Sequence, residues 1–108
     1  MKTMFKRNLL ATLVLAFASI FTNNAHALTV TIGKVVEVFA DPSDIVIVLD
    51  TPGTCGAGSN FFHIQRTNAN FKELTAMALT AISAKKSMRL FIASCAGDRS
   101  ILSHGSVF

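Results

Sequence analysis

The first 27 residues of the chain have the three parts of a secretory signal, and this limits what the rest can fold into. The cationic start holds three basic residues: Lys2, Lys6 and Arg7. An apolar run follows at residues 9–21, and Ala25-His26-Ala27 forms a site that a signal peptidase can cleave. The run is shorter than the roughly 20 apolar residues of a membrane-spanning helix. The sequence therefore predicts a cleaved leader over residues 1–27, with a core helix of the mature fold as the alternative.

The part that remains, residues 28–108, has the size of one small domain. The whole chain has 10 basic and 6 acidic residues, but three of the basic residues belong to the leader, so the remainder is nearly neutral. The high isoelectric point is therefore no argument for nucleic-acid binding, which we rank last among the functions of such a domain. We expect a secreted or periplasmic protein without a membrane span in its mature part.

Two cysteines, Cys55 and Cys95, remain after removal of the leader. In an oxidising compartment such a pair predicts one disulfide. Closing a loop of about 40 residues stabilises a fold by roughly 4 kcal/mol in the chain-entropy model. The alternative is a reactive thiol at Cys55 with His63 as its base, which needs a third, orienting group.

The mature part opens with a predicted β-hairpin. Residues 30–39 are rich in β-branched side chains and predict a strand, with Gly33 as a bulge or bend. Residues 40–44 form a turn signal, and the apolar run at residues 45–49 predicts a central strand that is buried on both faces.

The remaining strands lie on either side of one helix. Residues 50–60 contain Pro and three glycines and predict a loop held by the disulfide, since the pattern of a phosphate-binding loop is absent. Residues 61–65 predict a third strand and residues 88–94 a fourth. Residues 95–99 predict a turn, and residues 100–108 a fifth, more polar strand.

A helix is predicted from Phe71 to about Lys85, preceded by Asn70 as the N-cap and with Glu73 completing a capping box. Four apolar residues share its inner stripe: Phe71, Leu74, Ala78 and Ile82. Leu79 lies on the opposite stripe, where it is either a single exposed side chain or part of a second contact surface.

The predicted order is three strands, one helix and two strands. This is the order of a five-stranded Greek-key barrel of the oligonucleotide/oligosaccharide-binding (OB) type. The fold class is therefore mainly β with one helix and one disulfide. A helix packed on an open meander has the same order and is the alternative.

Two segments resemble a known family. The run FKELTAMALTAISAKKSMRLFIASC at residues 71–95, with IGKVVEVFADPSDIVIVL at residues 32–49, is similar to the binding (B) subunits of subtilase cytotoxin and typhoid toxin. It is more similar to small secreted bacterial proteins related to those subunits. The resemblance covers nearly all of the mature part and rests on pattern, element spacing and the cysteine pair.

The resemblance implies a five-stranded barrel. It also implies rings of five subunits with the helices near the central axis, and binding of sialylated glycans. Ile32 stands where the toxin subunits have a sugar-contacting serine. The chain also has no Trp and no Tyr, which are frequent in sugar sites because they join an aromatic body to a polar group.

The sequence predicts no catalytic, cofactor-binding or metal-binding residue. Ser100, His104 and Asp98 form a nominal hydrolase set, which we rank low. We expect a non-enzymatic binding or assembly module whose partners are a second copy of the chain or an exported partner chain, and a glycan or small molecule. The alternative is a monomeric periplasmic OB-fold protein that binds a small ligand or inhibits an envelope enzyme. Four residues are predicted to face the ligand: Arg66, Arg89, Arg99 and His104.

Overall fold

The computed structural model describes residues 29–108, so the predicted leader at residues 1–27 lies outside the described part. The described part contains five strands and one helix. They are β1 (Thr29–Ala40), β2 (Asp44–Leu49), β3 (Phe61–Gln65), α1 (Phe71–Ser83), β4 (Ser87–Ala96) and β5 (Arg99–Val107). Within residues 29–108, no helix is both long enough and apolar enough to cross a membrane.

The five strands form a closed barrel in the order β1-β2-β3-β5-β4. Four of the five contacts between strands are antiparallel, and the contact between β3 and β5 is parallel. This parallel seam consists of only two residue pairs, Phe62 with Ser100 and His63 with Ile101. The predicted mainly β fold with a helix between the third and fourth strands is confirmed, and the sheet closes into a barrel, so the open-meander alternative is wrong.

The helix packs on the barrel through one apolar stripe. Leu74, Ala78 and Ala81 are fully buried, and Phe71 and Ile82 are partly buried at the two ends of the stripe. The stripe agrees with the sequence prediction except for Ala81, which was not predicted. Fully burying a side chain of the size of leucine stabilises a fold by about 1.5–3 kcal/mol, so this contact contributes substantially to a domain this small.

Strand β2 is buried on both of its faces, as its unbroken apolar run predicts. Ile47 and Leu49 point into the core, while Val46 and Val48 point outward and are still buried. Next to them on the outside, the rings of Phe39 and Phe61 meet edge to face with their centroids 5.8 Å apart. The outside of β1, β2 and β3 therefore carries a small second apolar layer.

The predicted bulge at Gly33 is wrong. The register of β1 against β2 shifts between Val35 and Glu37, so the extra residue is Val36. Gly33 is needed for another reason, because a Cβ atom there would lie 2.7 Å from Oδ1 of Asp50. That oxygen accepts a hydrogen bond from the backbone amide of Lys34, at 2.8 Å. Gly33 therefore allows the end of β2 to approach β1 closely.

The predicted capping box is also wrong. Asn70 is the N-cap residue of α1, but its side chain makes no capping hydrogen bond. The polar anchor is Asn68, whose Oδ1 accepts from the amide of Asn70 at 2.7 Å. Its Nδ2 donates to the carbonyl oxygens of Leu102 at 2.9 Å and Ser103 at 3.1 Å. Asn68 thereby ties the start of the helix to β5.

The turn between the last two strands is shorter than predicted, because β4 continues to Ala96 and β5 begins at Arg99. Only Gly97 and Asp98 remain in the turn, and Gly97 has a φ of 65°, which glycine adopts readily. Strand pairing up to Ala96 and Arg99 explains why the strands extend further than the polar residues suggested.

The predicted disulfide joins Cys55 to Cys95, with their Cα atoms 5.5 Å apart. It connects the loop after β2 to the end of β4. Cys55 is buried, and neither cysteine in residues 29–108 is free. In this state Cys55 offers no thiol to a reaction, so the thiol-enzyme alternative is not supported.

Candidate functional site

One outer face of the barrel combines exposed apolar side chains with basic ones. We call it the β1–β4–β5 face and define it by six residues: Val30, Ile32, Arg89, Phe91, His104 and Phe108. Cross-strand pairing places Val30, Phe91 and His104 in one row. Ile32 and Arg89 are paired in the next row. Directly opposite residues in a sheet point to the same side, so these side chains share one surface.

Aromatic rings hold the two basic side chains of this face. His104 stacks on Phe91 with their ring centroids 4.2 Å apart and their planes inclined by 13°. The guanidinium carbon of Arg89 lies 5.3 Å from the ring centroid of Phe108. Both contacts restrict the basic group to a defined place on the surface, and a cation above a ring face is itself favourable.

The β1–β4–β5 face is accessible. Val30 is 44% exposed, Ile32 46% and Phe108 56%. None of the six residues is acidic. The Ser103 hydroxyl lies 2.9 Å from Nδ1 of His104, so within residues 29–108 the imidazole is anchored through that nitrogen. The arrangement suits a ligand with a negative group for Arg89 and His104 and a flat or apolar part beside them.

The other two predicted ligand-facing residues lie elsewhere. Arg66 follows β3, and its guanidinium carbon lies 5.4 Å from the ring centroid of Phe71 at the start of the helix. Arg99 begins β5 and pairs with Ala96 beside the turn. The structure therefore brings Arg89 and His104 to one face and leaves Arg66 and Arg99 outside it.

The nominal hydrolase set is not assembled. Ser100 is fully buried, and its hydroxyl has no hydrogen-bond partner within the described residues. His104 is exposed on the outside of the barrel. A nucleophile and its base must lie within hydrogen-bond distance of each other, so Ser100 and His104 do not form such a pair.

Sequence reasoning missed a second cluster, which consists of Asp41, Asp44 and His63. His63 is 3% exposed, and its Nδ1 lies 3.0 Å from Oδ2 of Asp44 and 3.7 Å from Oδ2 of Asp41. One ligand atom from each residue lies within 4.8 Å of the others. The other ring nitrogen, Nε2, is buried and has no hydrogen-bond partner among residues 29–108.

The turn between β1 and β2 positions Asp41 in this cluster. Its Oδ1 accepts hydrogen bonds from the backbone amides of Asp44 at 2.5 Å and Ser43 at 2.8 Å. These two amides hold the pKa of the Asp41 carboxyl below its ordinary value. Because Oδ1 is occupied by the turn, Oδ2 is the oxygen that faces His63.

The outer stripe of the helix is the third feature with functional interest. Leu79 is 52% exposed, as the helical pattern predicts. It lines a shallow depression with Thr80, Ser83 and Ala84. The small neighbours leave the leucine accessible to a flat partner surface.

Comparisons of the chain with protein-family models, with curated proteins and with solved structures find no match. The resemblance to toxin B subunits therefore stays a prediction from the sequence.

Proposed function

We propose that this chain is a secreted or periplasmic binding module without enzymatic activity, which holds an anionic ligand on its β1–β4–β5 face. One observation carries the proposal. Arg89 and His104, the only basic members of this face, are each held against an aromatic ring beside half-exposed apolar side chains. A basic group that is already ordered loses less conformational entropy when a ligand binds.

The ligand class that fits best is a glycan with a carboxylate. The planar guanidinium of Arg89 can donate two parallel hydrogen bonds to a carboxylate. The exposed rings and aliphatic side chains suit the apolar side of a sugar. The sequence resemblance to subunits that bind sialylated glycans supports the same class, and Ile32, which stands where those subunits have a sugar-contacting serine, lies beside Arg89.

A glycan array with the oxidised protein tests this proposal. We expect binding to carboxylated glycans and no binding to their neutral counterparts. A thermal-shift screen with small organic anions covers ligands that an array does not display, because any ligand of the folded state raises the unfolding midpoint. No binding on the array and no shift of the unfolding midpoint in the screen would together reject the proposal.

A matched pair of variants assigns the binding to this face. Arg89→Ala should lower the affinity for the ligand found in the screen by at least about tenfold, since a charge-assisted hydrogen bond contributes roughly 1.5–3 kcal/mol. Arg66→Ala removes a second guanidinium that also lies over a phenylalanine ring, but outside this face, and should leave the affinity unchanged. Equal losses in both variants would place the ligand elsewhere.

We further propose that the exposed stripe of α1 around Leu79 is a contact between copies of the chain. The half-exposed leucine among small neighbours supports this part. Light scattering should detect a species larger than a monomer, which Leu79→Lys dissociates. Val36→Lys is the control, because Val36 is equally exposed but lies in β1. If the protein is a monomer at high concentration, the proposed contact between copies is rejected, while the proposed ligand binding is not affected.

A further inference from the structure

The cluster of Asp41, Asp44 and His63 carries an inference that is independent of the ligand face. We propose that it binds one divalent transition-metal ion, with Zn²⁺ as the representative, through Oδ2 of Asp41, Oδ2 of Asp44 and Nδ1 of His63. The ion would join the turn between β1 and β2 to the middle of β3.

The separations of the two carboxylate oxygens from His63 Nδ1 are close to those around such an ion. Zinc binds imidazole nitrogen and carboxylate oxygen at about 2.0–2.2 Å, so tetrahedral geometry places neighbouring ligand atoms about 3.3–3.6 Å apart. The two separations from His63 Nδ1, 3.0 Å and 3.7 Å, bracket that range. All three ligand atoms lie within 4.8 Å of one another, so a bound ion would draw together any pair that is wider than that range. Three protein ligands leave a fourth position for water, as in zinc sites with an open coordination position.

Charge gives the second argument. Within residues 29–108 no lysine or arginine pairs with Asp41 or Asp44, and their only ionic partner is the imidazole of His63. The two carboxylates together carry more negative charge than one imidazole can neutralise. A divalent cation neutralises both carboxylates at once and binds the ring in its neutral form.

The burial of His63 gives the third argument. The residue is only 3% exposed, and its Nδ1 lies 3.0 Å from Oδ2 of Asp44 and 3.7 Å from Oδ2 of Asp41. Because Nε2 has no hydrogen-bond partner in the described residues, polar contacts hold the ring only on the side of the cluster. An imidazole with one or two carboxylates is a donor set that selects zinc and its neighbours over calcium and magnesium.

The carboxylate of Asp41 is already oriented for this role. Its Oδ1 accepts hydrogen bonds from two backbone amides of the turn. These hydrogen bonds fix the direction in which Oδ2 points. Hydrogen bonds to the second oxygen of a ligating carboxylate are a general feature of metal sites. They also provide a precise test, because asparagine keeps the accepting Oδ1 and loses the ligand Oδ2.

The experiment is a calorimetric titration of the oxidised protein, without a polyhistidine tag, with Zn²⁺. We expect one ion per chain and a rise in the unfolding midpoint that EDTA reverses. Asp41→Asn should weaken zinc binding at least tenfold, and zinc should then raise the unfolding midpoint of this variant little above its own value in EDTA. Asp44→Asn should weaken zinc binding to a similar degree.

Two control variants make the result specific. Asp50→Asn changes another aspartate whose Oδ1 accepts a backbone amide, but which lies outside the cluster, and should bind zinc as the parent does. His104→Gln should also leave the affinity unchanged. The proposal is overturned by no binding up to millimolar zinc, by binding that survives both cluster variants, or by a site that binds calcium and not zinc.

Discussion

The imidazole of His104 lies parallel to the ring of Phe91, with the planes inclined by 13° and the centroids 4.2 Å apart. The two residues are direct cross-strand partners on β5 and β4. Neither is a strong signal alone, since a histidine on a polar edge and a phenylalanine in an alternating strand are common. Their stacking turns the imidazole from a mobile surface group into one with a fixed position.

The first prediction concerns this fixed position. Phe91→Leu keeps an apolar side chain and removes the stacking surface, so His104 regains rotational freedom. Ordering one such side chain costs about 0.5–1.5 kcal/mol, and ligand affinity should therefore fall roughly 2- to 13-fold. Calorimetry with the ligand of the glycan or anion screen measures the change. An unchanged affinity would show that stacking does not prepare His104 for binding.

The second prediction concerns the disulfide. The variant with both Cys55→Ala and Cys95→Ala should lose about 4 kcal/mol of unfolding free energy, because the unfolded chain regains the freedom of a loop spanning 40 residues. Urea unfolding followed by circular dichroism measures the loss. The parent in excess reductant should show the same decrease. A loss below about 1 kcal/mol would mean that the closed loop contributes little.

The third prediction compares two leucines of the same helix. Leu74 is fully buried and Leu79 is 52% exposed. Leu74→Ala should lower the unfolding free energy by about 2–5 kcal/mol, since it leaves a cavity between helix and barrel. Leu79→Ala should change it by less than about 0.5 kcal/mol when measured at low protein concentration. Similar losses in both variants would contradict the packing of α1 described above.

The fourth prediction concerns Asp41. The amides of Asp44 and Ser43 donate to its carboxylate and lower its pKa. A group whose pKa is lower in the folded protein stabilises the fold above the unfolded pKa, and this contribution is lost as the pH falls through the folded pKa. In an NMR titration with EDTA, the Asp41 carboxyl should show a midpoint below the ordinary value of 3.8. A midpoint at or above that value would contradict the turn geometry.

Most of the fold could be predicted because its signals are local. The apolar run of β2, the alternation in β4 and the inner stripe of α1 each follow from the periodicity of a few consecutive residues. The errors arose where a contact between distant residues decides the local structure. Asn68 replaces Asn70 as the polar anchor of the helix because β5 offers it two carbonyl oxygens, and the neighbouring sequence does not reveal that.

The candidate sites were predictable only in part. Arg89 and His104 share a face because both point outward from paired strands, which follows once the alternation of β4 and β5 is known. The cluster of Asp41, Asp44 and His63 depends on the register of β3 against β2, where His63 pairs with Val46. A shift of one residue in that register would turn His63 into the barrel interior. The spacing of 19 residues between Asp44 and His63 carries no such information.

The short parallel contact between β3 and β5 affects the stage of folding at which the barrel closes. Only two residue pairs connect these strands. One of the pairs includes Ser100, and Cys95 is the cross-strand neighbour of Ser100 on β4. Cys55 lies in the segment that leads into β3. The disulfide therefore links the chain on both sides of the contact between β3 and β5, which has the fewest residue pairs of any strand contact in the barrel. We therefore expect reduction of the disulfide to loosen this parallel contact first, so that β3 and β5 join firmly only after Cys55 and Cys95 have been oxidised.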